Sequence, residues 1–322
     1  TADGVRIAFI SLNTSRLAEF TVLDHLPVYL EGITTPYPKA GDPNPAVRLG
    51  VLDISDGRIR WVGPEKEPSE EMLVVRVSWT PDGDRLLYQV QNRRQTRLDL
   101  IEHDLVSGDS RLLIREQTGA WVNILGEPAF LEGGDFLWES ERSGFRHLYL
   151  FESESGELSP LTRGEWEVRD LEFLDEVRGA VYFTGTRESS LSEQLFRLSI
   201  EGAEPVQISK SAGNHRVDFA PTGDYYINIH SRAATPPEVR LHRPEGSFVR
   251  RLDRAPPLSL EEYRLAEPEF FRVPTRDGFE MEAMLIRPPD FDPSRRYPLL
   301  VVVYGGPQSP IVVDRWKGRS YL

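Results

Sequence analysis

The sequence predicts a mainly β chain: consecutive four-stranded antiparallel blades of a β-propeller, followed by the opening strands of an α/β-type domain. Three observations carry this expectation. Five strand-like pairs, each about a glycine-containing turn, recur at a nearly constant interval. A second alternating element separates them, and the pattern changes after Arg254.

The five pairs are VRLGVLDISDGRIRWVG, TRLDLIEHDLVSGDSRLLIR, RHLYLFESESGELSPLTRG, EQLFRLSIEGAEPVQIS and PEVRLHRPEGSFVRRLD. Their turn glycines, Gly57, Gly108, Gly156, Gly202 and Gly246, are separated by 51, 48, 46 and 44 residues. Each flank alternates apolar and polar residues, the period of a half-buried strand. Glycine supplies the positive φ that a tight hairpin needs. Between the pairs lie VSWTPDGDRLLYQV (77–90), PAFLEGGDFLWES (128–140), LEFLDEVRGAVYFTG (171–185) and VDFAPTGDYYINIHS (217–231). Thr1 to Phe9, TADGVRIAF, reads as the same element entered halfway. Two hairpins per period make four strands, which is the arithmetic of a propeller blade. An antiparallel sandwich has strands as closely spaced but no cause to keep a constant long period.

Residues 255–268 carry prolines and polar residues, as a linker does. FFRVPTRDGFEMEAMLIRPPDF then gives two strands about Asp277-Gly278. In SRRYPLLVVVYGGP the run from Leu299 to Val303 is apolar at every position, so a central strand buried on both faces is expected. The expected division is a partial propeller over 1–256, then a linker and the start of an α/β domain over 257–322. The chain is thus expected to begin inside one blade and to stop inside a second domain.

Composition narrows the function classes. Asp plus Glu outnumber Lys plus Arg by 51 to 38, a net charge of −13 over 322 residues. That balance argues against duplex nucleic acid or an anionic membrane as the main partner. No apolar run approaches 18 residues, so no membrane span is expected. The absence of cysteine excludes disulfides, thiolate metal sites and a cysteine nucleophile. No targeting segment is visible and the first residue is Thr1, which leaves the compartment open between cytoplasm and periplasm. The motifs GxGxxG, GxxxxGK[ST], HExxH and GxSxG are all missing, and no cofactor is expected. The six histidines (His25, His103, His147, His215, His230, His242) never fall at i, i+4 and are expected as surface or hairpin residues. Glu70-Glu71 and Glu261-Glu262 sit in polar surroundings and read as solvated faces.

One segment points to chemistry. Tyr304-Gly305-Gly306-Pro307 follows the apolar run, and ligands bind at the carboxyl ends of strands in open α/β sheets. Two glycines let backbone approach a ligand, and the tyrosine hydroxyl is a neutral donor suited to a developing oxyanion. Spacing alone favours a ring packed at a strand end with its hydroxyl in water.

Four segments carry a resemblance to the prolyl oligopeptidase family of serine peptidases, in its dipeptidyl peptidase IV branch. They are TPYPKAGDPNPAVRLGVLDI (35–54), ERSGFRHLYLF (141–151), LTRGEWEV (161–168) and FDPSRRYPLLVVVYGGPQSP (291–310). YPKAG followed by NP is rather specific to that branch, whereas YGGP is shared more widely. The resemblance implies an eight-bladed propeller over an α/β-hydrolase domain with a Ser–Asp–His triad. On that footing this chain holds about five blades and the first hydrolase strands. The triad is expected beyond Leu322, and the paired glutamates that bind the substrate amine before Thr1. Tyr304 matches the oxyanion-hole tyrosine. Trp121, Asn123, Ile124 and Leu125, in TGAWVNIL, match the loop that walls the S2 subsite, without the Phe-Arg pair of the animal enzymes.

The implied parent is a serine-type dipeptidyl peptidase acting on peptides with a free N-terminus, proline preferred second, with a homodimer as an expected partner. A prolyl tripeptidyl peptidase of the same branch and a non-catalytic propeller serving as an interaction module stand as alternatives. With 4 lysines among the 38 basic residues and no cysteine, a bacterial enzyme is expected. The chain by itself is expected to be inactive and, with open strand edges, poorly soluble.

Overall fold

The computed structural model describes residues 1–322 other than 2, 64–71, 255–263, 307 and 319–322. Within them the chain forms 23 strands and no α-helix. Strand β1 (Arg6–Asn13) is followed by a separate hairpin, β2 (Glu19–Asp24) and β3 (Glu31–Pro36), before β4 (Ala46–Asp53) and β5 (Ile59–Val62) complete a three-stranded sheet in the order β1-β4-β5. Four four-stranded sheets follow, each in chain order. The first is β6 (Met72–Trp79), β7 (Arg85–Asn92), β8 (Arg97–Asp104) and β9 (Ser110–Gln117). The second is β10 (Ala129–Phe130), β11 (Phe136–Ser140), β12 (His147–Phe151) and β13 (Leu158–Pro160). The third is β14 (Val168–Asp175), β15 (Ala180–Gly185), β16 (Gln194–Ser199) and β17 (Val206–Gln207). The fourth is β18 (Asn214–Phe219), β19 (Tyr226–Arg232), β20 (Thr235–His242) and β21 (Phe248–Arg254). These are the antiparallel blades that the period predicts.

The local causes are those read from the sequence. All five turn glycines have positive φ, from +71° at Gly57 to +94° at Gly246. A Thr-x-Asp-Gly turn precedes three second strands: Arg85 N donates to Thr80 Oγ1 at 3.1 Å, and Arg6 N donates to Thr1 Oγ1 at 3.0 Å. Thr1 therefore opens the same turn as Thr80, and β1 is the equivalent of β7. The third example, Thr275 to Gly278, joins β22 (Glu269–Pro274) to β23 (Glu280–Leu285), the hairpin expected about Asp277-Gly278.

The chain divides into two compact units, Thr1–Arg142 with Leu150–Leu158 and Ser143–Tyr149 with Ser159–Leu322. In the first, β7 is buried on both faces. Leu86, Tyr88 and Val90 enter a core with Leu49 and Val51, whereas Leu87 enters a second core with Leu100, Ile114, Phe136 and Trp138. Alternation across a strand sends successive side chains to opposite faces, so a strand between two sheets is apolar throughout. In the second unit β15 plays this part. Its Ala180 and Tyr182 meet Val217 and Tyr226 of the next sheet. Each fully buried leucine or aromatic ring there stabilises by roughly 1.5–3 kcal/mol.

Two features depart from the sequence reading. The hairpin β2–β3 lies outside the period, and its turn, His25–Leu30, has no glycine to announce it. Residues 299–303 form no strand. Leu300 is 87% and Val303 83% exposed, where a strand buried on both faces was expected. An apolar run is buried only if partners cover it, and among the described residues no strand pairs with this one. The linker residues 255–263, both acidic pairs (Glu70-Glu71, Glu261-Glu262) and Pro307 lie outside the described residues.

The connection 161–167 explains its own sequence, LTRGEWE. Trp166 stacks on Phe183 at 6.0 Å and meets His147 edge-on at 5.0 Å. A Cβ on Gly164 (φ +129°) would lie 2.6 Å from the Trp166 indole nitrogen, whereas one on Gly108 (φ +81°) would meet nothing within 4 Å. Gly108→Ala is therefore expected to cost only left-handed strain, about 1–2 kcal/mol. Gly164→Ala is expected to cost more, because it adds displacement of a stacked indole. Urea unfolding of both variants checks this, and equal losses would mean that Trp166 is not held in place.

Candidate functional site

The loop between β9 and β10, residues 118–128, carries the predicted Trp121, Asn123, Ile124 and Leu125 and holds them together on one short segment. Its backbone is fixed from below by β7. Gln91, 1% exposed, donates from Nε2 to the Val122 carbonyl at 2.7 Å. Gln89, 2% exposed, donates to the Gly126 carbonyl at 2.8 Å. Val122 N in turn donates to the Gln95 carbonyl at 2.8 Å, and the Val122 side chain is buried in the core. At the start of the loop the buried carboxylate of Glu116 accepts from Trp138 Nε1 (2.9 Å) and from Arg142 (2.7 Å).

What this anchored loop presents is mixed. Trp121 and Ile124 are exposed, Leu125 is half-buried, and Asn123 Nδ2 donates to Glu141 Oε2 at 2.7 Å. The result is an apolar wall with an amide–carboxylate pair beside it, on a backbone that cannot easily shift. Gln89, Gln91 and Glu141 were not singled out from sequence. The one available signal was two glutamines inside an otherwise apolar strand, LLYQVQN.

Tyr304 belongs to the second unit and is 61% exposed, with no strand leading to it. Its ring lies over Gly306, where a Cβ would fall 2.6 Å from the tyrosine hydroxyl oxygen. Glycine is therefore required at 306 for the ring to lie there.

The histidines divide in a way that sequence did not reveal. His25, His103 and His242 lie at the surface or on hairpins, but His147, His215 and His230 are buried. Each donates from Nε2 to a carbonyl of a connection between sheets: His147 to Gly164 (2.9 Å), His215 to Ser211 (2.9 Å) and His230 to Ala212 (2.8 Å). Gln194 takes the next carbonyl, Gly213, at 2.6 Å. The rings of His215 and His230 lie 4.7 Å apart. Burial pushes His215 down to about 4 and lowers His230 and His147 as well, so these rings serve as neutral donors. On β14, burial pushes the Glu172 carboxyl up to about 7 against a hydrogen bond from Thr184 Oγ1 (2.8 Å), with the charges of Asp170, Glu193 and Asp218 adding to the shift. Among the described residues no group of three or more His, Asp or Glu is placed to hold a metal ion, and no helix is long and apolar enough to cross a membrane.

Residues 1–237 match the family model described as the dipeptidyl peptidase IV (DPP IV) N-terminal region. The chain belongs to this family. Similarity to proteins carrying this name extends along the whole sequence. The protein named "Probable dipeptidyl peptidase 4" in Emericella nidulans is 28% identical over 99% of this chain and 44% of its own length. The dipeptidyl peptidase 4 of Trichophyton rubrum is 25% identical over the same shares. The crystal structure of Porphyromonas gingivalis dipeptidyl peptidase 4 superposes with a TM-score of 0.88 at 29% identity, covering 98% of this chain and 45% of that one. A Bacteroides ovatus structure, 22% identical with a TM-score of 0.88 over 99% of this chain and 48% of its own, shares the fold. The chain spans less than half the length of these DPP IV relatives.

The buried titratable groups make opposite contributions to acid stability. His215 has its folded value depressed from 6.5 to about 4, so the unfolded chain binds protons first. Its contribution is complete above pH 6.5 and is lost as pH falls toward 4. Glu172 is raised from 4.5 to about 7, so the folded chain binds protons first and gains stability as pH falls from 7 to 4.5. Each slope is at most about 1.4 kcal/mol per pH unit. Glu172→Gln is therefore expected to steepen the loss of stability between pH 6.5 and 4.5, and His215→Gln to flatten it. Denaturant midpoints at pH 8, 6.5, 5.5 and 4.5 read this directly, and parallel curves for all three proteins would refute it.

Proposed function

We propose that this chain is part of a serine-type dipeptidyl peptidase that releases dipeptides, with proline preferred second, from peptides bearing a free N-terminus. The single observation that carries the reading is the DPP IV family match over residues 1–237. The collinear YPKAG, TRGEWEV and YGGP segments support it. The serine nucleophile, its acid and its histidine belong to the hydrolase domain of the parent enzyme, and no residue of this chain is assigned to them. In this reading 257–322 opens that domain, and the bias toward arginine over lysine favours a bacterial source.

Two parts of the chemistry fall to this chain. As the serine attacks the scissile carbonyl, negative charge grows on the carbonyl oxygen, and the Tyr304 hydroxyl donates to it. A phenol O–H suits this role, since it donates a hydrogen bond that gains most when the charge is complete. The loop at Trp121, Asn123, Ile124 and Leu125 supplies the wall for a substrate side chain. Trp121 and Ile124 give it apolar contact, and Asn123 is already oriented by Glu141. The blades carry this loop and restrict access to extended peptides.

Tyr304→Phe in the full-length enzyme is expected to lower kcat by about 10²–10³, or roughly 2.7–4 kcal/mol, the usual loss for one oxyanion donor. KM on an Xaa-Pro nitroanilide should change little, because the ground-state carbonyl gains less from the bond. Phe keeps the ring over Gly306, so the melting temperature should hold. A kcat within about threefold of wild type, under 1 kcal/mol on the barrier scale, would remove Tyr304 from the mechanism. Comparing dipeptidyl with tripeptidyl nitroanilides separates the DPP IV reading from the tripeptidyl one. Inactivity on both would favour the non-catalytic interaction module.

A further inference from the structure

In the second unit, one side chain joins the segment after Tyr304 to the blades. Asp314, whose side chain is 13% exposed, sits against the loop 189–193 and the end of β19 with its following turn, 231–233. Its Oδ1 accepts from Ala233 N at 2.8 Å and its Oδ2 from Arg232 Nε at 3.2 Å. Its own backbone N donates to the Leu191 carbonyl at 2.7 Å. Trp316 N reaches Ser231 Oγ at 3.4 Å, and Lys317 Nζ closes the segment on itself by donating to the Ile311 carbonyl at 2.7 Å. The same 189–193 loop also receives the β22–β23 hairpin, where Ser190 Oγ donates to Glu282 Oε1 at 2.8 Å, and Arg272 pairs with that carboxylate at 3.2 Å.

The apolar residues 299–303 are exposed, so burial does not fix their place. Asp314, by contrast, is held by directed polar contacts. A carboxylate that accepts a backbone N–H and a guanidinium N–H while its own amide is spent on a carbonyl has one orientation, and three directed bonds specify position as well as adding stability. The flanking Arg232 and Ser231 belong to β19, whose His230 holds the Ala212 carbonyl beneath. The receptor for Asp314 is thus itself tied to the neighbouring connection by a hydrogen bond.

We propose that Asp314 is a positioning residue of the peptidase: its docking on 189–193 and 231–233 fixes the segment that carries Tyr304 ten residues earlier and so sets the reach of the tyrosine hydroxyl. This rests on the oxyanion role of Tyr304. It adds that the blades, through Arg232, Ala233 and Leu191, hold the donor in register. Displacement of a catalytic group by about 1 Å can cost as much as 10²-fold in rate, so loss of the tether should appear in kcat.

The test uses the full-length enzyme with Asp314→Ala, Asp314→Asn and Tyr304→Phe, measured on an Xaa-Pro nitroanilide and by hydrogen exchange of peptides covering 189–193, 231–234 and 308–318. Asp314→Ala should lower kcat by about tenfold or more with KM within about threefold, and should speed exchange in all three peptides. Asp314→Asn keeps an acceptor for Ala233 N and should recover much of both losses, which a general loss of folding would not allow. Wild-type exchange in Asp314→Ala would overturn the docking. Faster exchange with unchanged kcat, while Tyr304→Phe is crippled, would overturn the positioning role and leave the tyrosine reading standing. An unaffected Tyr304→Phe would remove that reading, and this inference with it. If Asp314→Ala does not fold, Asp314→Asn decides: a partial loss of kcat with faster exchange supports the tether, and wild-type values in both overturn it.

Discussion

The structure depends on one requirement: where the chain passes from one sheet to the next, its backbone carbonyls leave the ladders, and those that face the buried edge of a sheet must be given donors. A buried carbonyl left without one costs about 1–3 kcal/mol, a large part of the stability of a domain. The sheets cannot supply those donors, because their own N–H groups are committed to the ladders. Side chains therefore do so. Gln89 and Gln91 hold the connection after β9, His147 holds the one after β13, and Gln194, His215 and His230 take three successive carbonyls after β17. Strands that are otherwise apolar throughout carry these polar residues for that reason.

This requirement also shapes the candidate site. A loop whose carbonyls are held from below has a rigid backbone and can leave its side chains to the solvent, which is the arrangement a binding wall needs. Val122 is spent on anchoring, and its neighbours Trp121 and Asn123 are left to face outward. Changing the presented residues costs the fold little, whereas changing Gln91 would release the loop. Recognition and stability thus fall on alternate residues of the same short segment.

How much of this was legible in the sequence follows from how local each signal is. The blade hairpins were legible because a positive-φ glycine and a period of two act within ten residues, at Gly57 as at Gly246. The hairpin β2–β3 escaped because His25–Leu30 turns without glycine and its strands stay exposed, so neither local signal was present. The burial of His147, His215 and His230, which the sequence places at the surface or on hairpins, escaped because a histidine next to a distant carbonyl looks, in sequence, like any other. The loop at 121–125 was found by resemblance, but its supports, 31 and 37 residues earlier on β7, depend on tertiary contact. Leu299–Val303 misled for the opposite reason: a continuous apolar run states a capacity for burial, and only neighbouring strands could fulfil it.

The contrast between that run and Asp314 separates two kinds of work in the fold. Apolar burial supplies most of the stability, as in the cores around Leu100 and Tyr182, but it is nearly indifferent to direction. A hydrogen bond contributes little net, about 1 kcal/mol, yet it is satisfied in one geometry only. Where this chain must fix a segment rather than merely bury it, it uses the second device: glutamine to carbonyl under the 118–128 loop, histidine to carbonyl under 211–213, and aspartate to backbone amide at Ala233. Tyr304 is 61% exposed, so burial does little to fix its place, and directed bonds further along the chain, at Asp314, offer what burial does not. Asp314 is the strongest of these among the described residues, because it combines a charge-assisted contact, a backbone amide and its own N–H in one residue.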